Sequence, residues 1–438
     1  MKSKLFVLAL AVLVMTLIGS SVIMAEDDVT EIRFLDVTTP SNPDVYNAVV
    51  NMVEEFNEEN PDIHVEREVL PSNELRNKIS IEMQAGNPAN IFWSVLSYTR
   101  EFMKDDLLVD IREAYKSDPE YWNETFTEAV RHAAVDNKER VMMSPWNAQI
   151  GGLFYNKEIF DRFDLKAPET LDELINVSKE LQKKGVIPMV TGGKDQRYAW
   201  LASAMMGRIA GVENTNALTI GDKMTEWDNP EYGFPQMLEK FKEMIDAGVF
   251  PSYINAVGQE EASQMFSNGE AAMIYEGQWL PGHFISFGGK DFVDKVGMVP
   301  FPVVEDAPMG DDNVRVGGVI IGLAVADTGS EAEKEASLKF LKKITSPGYG
   351  LPVMNSGGDI YAGNIEYDES QAYRLYNDMV DQYRNTEQFL PSMDTLAPPE
   401  IDRAIKETAM SGIASGSLTV EEAIEAVQEA AENYDKKN

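Results

Sequence analysis

The chain has 438 residues, 44% hydrophobic and 25% charged, an ordinary globular composition that is too long for a single core and implies two lobes or domains. Its formal charge of -35 would repel phosphate backbones and anionic membrane surfaces, so nucleic acid is not an expected partner. The absence of cysteine excludes disulfides, thiolate metal sites, cysteine nucleophiles and a lipid-modified cysteine.

The N-terminus has the layout of a secretory signal. Lys2 and Lys4 precede an apolar run from Leu5 to Ile18, then Gly19, Ser20 and Ser21, and Ala25 stands before three acidic residues. A cut after Ala25 is expected; an uncleaved anchor from Leu5 to Ala25 is the alternative. Next, Ile32 and Phe34 alternate and predict a strand. Val45, Val49, Met52, Val53 and Phe56 recur at helical spacing. Ile63, Val65 and Val69 predict a second strand, and Leu75, Ile79 and Met83 a second helix. Ile91-Phe92-Trp93 follows as a third strand, so the start reads β-α-β-α-β, the rhythm of a mainly parallel sheet. Capping-box spacing opens helices at Thr170-Glu173, Ser330-Glu333 and Thr419-Glu422. Strand-like runs lie at Gly152–Tyr155, Ala271–Tyr275, Lys295–Val299 and Val316–Val325. No repeat or long linker separates two lobes, so the chain is expected to cross between them more than once.

Motifs for catalysis are missing. His64, His132 and His283 are far apart, and there is no His-Glu-x-x-His, nucleophile elbow, phosphate loop, dinucleotide fingerprint or calcium loop. No cofactor is expected. The 73 acidic residues offer too many pairs to single out a glycosidase couple. Six tryptophans are present, several beside polar turns where strands should end. Sugar rings stack their C–H faces on such rings while carboxylates and amides take the hydroxyls. A lone tryptophan is more often core, and Trp122 and Trp227 are read that way.

The order of several stretches resembles the extracellular solute-binding proteins of family 1, the maltose-binding-protein-like group. These are Tyr155-Asn-Lys-Glu-Ile-Phe160, Ala167 to Leu174, Phe266-Ser-Asn-Gly-Glu-Ala-Ala-Met273 with Gly277-Gln-Trp279, and Ser417 to Ala423. The resemblance implies an α/β, two-lobed periplasmic-binding-protein fold of type II with the ligand between hinged lobes. Crossings would fall near 144–155, 315–324 and 347–355. Lobe one would be 26–147 plus 318–348, and lobe two 148–317 plus 349–438.

It also implies a ligand site. Trp279 and Trp93 would stack on the ligand. Trp146 and Gln149 would lie in the first crossing, with Tyr198 and Trp200 on a cleft loop. Asp36 would accept hydroxyls, Glu276 would do the same or merely be solvated, and Gly317 and Gly318 would admit the ligand close to the backbone or simply turn the hinge. The loop Val37–Ser41 has no charge beyond Asp36, unlike the maltose type, so maltose is not the expected ligand. The expected protein is a monomer outside the cytoplasmic membrane that binds a sugar or oligosaccharide and delivers it to an ATP-driven permease. A polyamine, glycerophosphodiester, peptide or anion ligand, a glycosidase and a surface-layer protein stay open.

Overall fold

The computed structural model describes residues 29–437, except 128–129, 132–134, 136–137, 308–309, 311–312 and the side chains of Glu113 and Tyr115. The signal-like segment 1–25 and His132 lie outside the described residues. No described helix is long and apolar enough to cross a membrane.

Strands β1 (Thr30–Asp36), β2 (Ile63–Val69) and β3 (Ile91–Val95) run parallel, with β1 in the middle. The helices between them, Pro43–Glu59 and Ser72–Ala85, bury the stripes read from the sequence. One residue on the second stripe is charged: Arg76 is buried beside Leu75, Ile79 and Met83. Strand β4 (Ser144–Pro145) passes through Trp146 directly into β5 (Asn147–Asn156), the longest strand. Around β5 gather β6 (Ile187–Val190), β7 (Ala271–Gly277), β8 (Val296–Val299) and β9 (Val314–Gly318). Strand β10 (Ile321–Val325) then returns antiparallel to β3 and β4. Strand β11 (Ile360–Tyr361) pairs with the start of β5, and β12 (Gln388–Leu390) with β9. The result is two sheets, ordered β2-β1-β3-β10-β4 and β12-β9-β5-β7-β6.

The run Val316–Val325, read as one strand, is two. Gly317 and Gly318 have φ of 141° and 94°, and the chain changes sheet at this point. A Cβ on Gly317 would lie 2.0 Å from the carbonyl oxygen of Gln149, so glycine is needed for the two crossing strands to touch. The expected close approach to a ligand is therefore an approach of β9 to β5. The third crossing also differs from expectation. Helix Pro347–Ser356 packs on helix Pro43–Glu59, and the chain reaches β5 only afterwards, through Gly357–Asp359.

Beneath the first sheet, Phe340 of helix Glu331–Ile344 meets Phe34 and Phe56 edge-on, with centroids 5.4 and 5.1 Å apart. The boxes at Ser330 and Thr419 are complete. At Thr170 the hydroxyl caps as expected, but the Glu173 carboxylate takes the amide of Glu169 instead.

Gly317→Ala is expected to cost about 3 kcal/mol or more, combining a strained backbone with a clash against β5. Gly416, also left-handed at φ 72° but with open space around it, should cost about 1–2 kcal/mol as alanine. Urea midpoints at constant slope measure both. Equal losses would remove the β5 contact as a constraint.

Candidate functional site

A cavity of about 670 Å³ opens between the two sheets, within the range of small-molecule sites. The turn after β1 and the start of helix Ser72–Ala85 form one wall, with Trp93 in the middle of β3. The opposite wall carries Arg197, Trp200, Trp279 and His283. Trp146, Asn147 and Gln149 of the crossing form the floor with Gln278 and Asp359. Brought to one place, these residues come from every quarter of the chain, as expected where strands end at a switch between sheets.

Trp279 lies flat over Gly277: a Cβ there would sit 2.3 Å from the indole ring. Its ring meets Trp200 edge-on at 4.9 Å. Arg197 lies 5.2 Å from the Trp279 centroid and donates two hydrogen bonds to Glu276, at 2.9 and 2.7 Å. Across the cavity Arg76 lies 5.5 Å from the Trp93 centroid, and its Nη2 donates to Asp394 at 3.2 Å. The two sides thus share one pattern, an arginine against a tryptophan with its charge met by a buried carboxylate. Below, Trp146 stacks on Tyr349 at 5.3 Å.

Of the ten expected site residues, five line the cavity: Trp93, Trp146, Gln149, Trp200 and Trp279. The others stand behind it. Asp36 is fully buried and accepts from Arg67 Nε at 2.9 Å and from the Thr38 amide at 2.9 Å. It braces the turn that does line the cavity. Glu276 is occupied by Arg197. Tyr198 is buried, donates to Asn255 at 2.6 Å and packs edge-on against Phe241. Gly317 and Gly318 turn the crossing. Trp122 and Trp227 lie in the core away from the cavity, against Phe126 and Phe234.

Sequence reading missed Arg76, Arg197, His283, Asp359 and Asp394. Arg76 had a legible signal, a charge on an otherwise apolar helical stripe. The rest carry none, because their partners are distant in sequence. His283 sits between Ser263 Oγ at 3.3 Å and Ser41 Oγ at 3.5 Å. Burial, with Arg197 nearby, pushes its imidazole down to about 4. Burial pushes the Asp359 carboxyl up to about 7.

Five buried side-chain polar atoms of the cavity lining find no partner among the described residues. Three are donors, Nε1 of Trp146 and Trp279 and Nε of Arg76; two are acceptors, Asn42 Oδ1 and Gln149 Oε1. Each would cost about 1–3 kcal/mol if it stayed unsatisfied, so a small shift of the walls that uncovers them would suit a guest that both donates and accepts.

Comparison with known proteins agrees with this arrangement. The profile of the bacterial extracellular solute-binding proteins matches residues 39–350. The melibiose/raffinose/stachyose-binding protein MelE of Bacillus subtilis (strain 168) is 23% identical over 435 residues, covering 91% of this chain and 94% of its own. A chitin oligosaccharide binding protein superposes with a TM-score of 0.83 at 20% identity, covering 93% of this chain and 99% of its own. A maltose-bound T. maritima MalE3 superposes with a TM-score of 0.75 at 21% identity, covering 92% and 100%. These likenesses show the two-lobed α/β periplasmic-binding-protein fold of type II. With a family profile spanning most of its length and a cavity walled by both sheets, this chain belongs to the bacterial extracellular solute-binding proteins.

Proposed function

We propose that the protein is the solute-capturing component of an ATP-driven importer and that its solute is an uncharged sugar or oligosaccharide. One observation carries this reading: the cavity joins aromatic platforms on facing walls with unpartnered donors and acceptors, while both lining arginines are already paired. Sugar rings offer C–H faces for Trp93 and Trp279, and each hydroxyl both donates and accepts. An anion deep in the cavity would need a free cation there, yet Arg76 and Arg197 are tied to Asp394 and Glu276, and Lys194 is exposed at the rim. The sugar-named relative MelE supports the same class. Outside the cytoplasmic membrane the protein binds, closes, delivers its solute unchanged to a permease in that membrane, and acts as a monomer.

We take the lobes to divide at the crossings, with helix Pro347–Ser356 joined to the first lobe because of its packing. Contacts across the cavity mouth support closure as the working motion. Asn73 Nδ2 donates to the carbonyl of Asp195 at 2.9 Å, and Ser286 Oγ to that of Ser41 at 2.9 Å. His283 belongs to the second contact.

A thermal-shift screen of the chain without residues 1–25 tests the ligand class. A shift with one sugar class, the sugar being recovered unchanged, is expected. A shift with an anion alone would overturn the sugar reading; turnover of the sugar would overturn the binding-only role. Trp279→Ala is expected to weaken that sugar by about 1–3 kcal/mol, roughly 5- to 150-fold, in calorimetry. Trp122→Ala should lower stability and leave affinity unchanged.

His283 sets a pH dependence. Its buried value, about 4, lies below the ordinary 6.5, so its contribution is full above 6.5 and is lost as pH falls toward 4. Between pH 7.5 and pH 5 the wild type should lose about 2 kcal/mol more stability than His283→Gln, measured by chemical unfolding. Parallel losses would remove His283 from the balance.

A further inference from the structure

Asp359 stands apart from the other carboxylates of the cavity. Asp394 and, behind the wall, Glu276 each hold an arginine, while the half-buried Asp195 accepts from the amide of Gln259 at 2.6 Å. Glu74, Glu260 and Glu261 are exposed at the rim. Asp359 is buried on the floor, and among the described residues it makes no ion pair. Its neighbours are all uncharged. Oδ1 accepts from Gln278 Nε2 at 2.9 Å and from the amide of Ile360 at 2.8 Å. Oδ2 accepts from Asn147 Nδ2 at 3.0 Å.

The two donors on Oδ1 cannot be reversed. One is a backbone amide. The other belongs to Gln278, whose own oxygen is fixed by the amide of Ile150 at 3.1 Å. A carboxylate offers about four acceptor positions, and three are filled. Among the described residues, no donor reaches the fourth, on Oδ2.

We infer that Asp359 is a specificity-determining residue, which requires the ligand to present a hydrogen-bond donor at the cavity floor and rejects a carboxylate or phosphate there. This deepens the sugar-binding reading and rests on it for the ligand class. A hydroxyl satisfies the position. A protonated amine satisfies it better, because it also supplies the cation that the carboxylate lacks. An acidic sugar would set two carboxylates together where little water can screen them. Burial without a cation raises the Asp359 carboxyl to about 7, so its acceptor role is complete only above that pH, and a donor from the ligand would extend it to lower pH.

Asparagine tests the idea with little structural change. It keeps the acceptor for Gln278 and Ile360, and a flip of the Asn147 amide meets its new N–H. Calorimetry would compare wild type and Asp359→Asn with three trisaccharide probes: raffinose, a glucosamine trimer and trigalacturonate. Among the probes that bind, wild type should favour the amino or neutral sugar over the acidic one by at least tenfold, and the variant should lose most affinity for the amino sugar. Acidic binding as tight as neutral in the wild type would overturn the inference without any variant, as would equal affinities in the two proteins. If no trisaccharide binds wild type, the sugar reading fails separately. Spermidine and glycerol 3-phosphate then decide Asp359. Spermidine binding that weakens in the variant supports the inference; glycerol 3-phosphate binding, or binding of neither, overturns it.

Discussion

The backbone contact between β5 and β9 is the constraint on which the rest depends. Gln149 pairs with Gly318 and Ile150 with Gly317, so two crossings of the chain are joined by hydrogen bonds at the base of the cavity. Only glycine permits this distance at 317. The same ten-residue strand carries Asn147 and Gln149 at one end and pairs with β7 and β8 at the other. The cavity floor and the strand by which the chain passes from one sheet to the other are therefore one element.

The charge of the cavity is managed by neutralisation. The chain is strongly acidic overall, yet the buried charges of the site occur as Arg76–Asp394 and Arg197–Glu276. A buried ion pair adds little net stability, since desolvation offsets its attraction. Its use here is geometric: each guanidinium lies beside an indole and holds it against the wall. Removing either carboxylate would leave a buried cation, so the pairs must be read as units. Among the described residues of the cavity, Asp359 is the buried carboxylate outside this scheme, held by amides alone.

Much of the fold was legible. Helical and alternating stripes depend on nearby residues, and the stripes at Val45–Phe56 and Leu75–Met83 bury the residues that the pattern implied. The site was legible in part. Aromatic rings beside polar or small residues are visible in one dimension, and Trp93, Trp200 and Trp279 do line the cavity, although Trp279 alone of these three follows a strand end. The acidic candidates fell elsewhere, because a carboxylate's use is set by the cation that reaches it. Arg67 is 31 residues from Asp36, and Arg197 is 79 from Glu276. Asp394 lies 318 residues from Arg76, far beyond any spacing rule.

By itself the sequence determined the α/β character, the caps at Ser330 and Thr419, the lack of disulfides and, through the order of its segments, the family. These follow from local periodicity and residue chemistry, which act over a few positions. Only the tertiary structure decided that Val316–Val325 breaks between two sheets, that Asp36 and Glu276 serve arginines, and that Asp359 lines the floor without a cation. Those outcomes depend on which distant groups share a low-dielectric space, and burial and pairing at long range set the energy of every charge in the site.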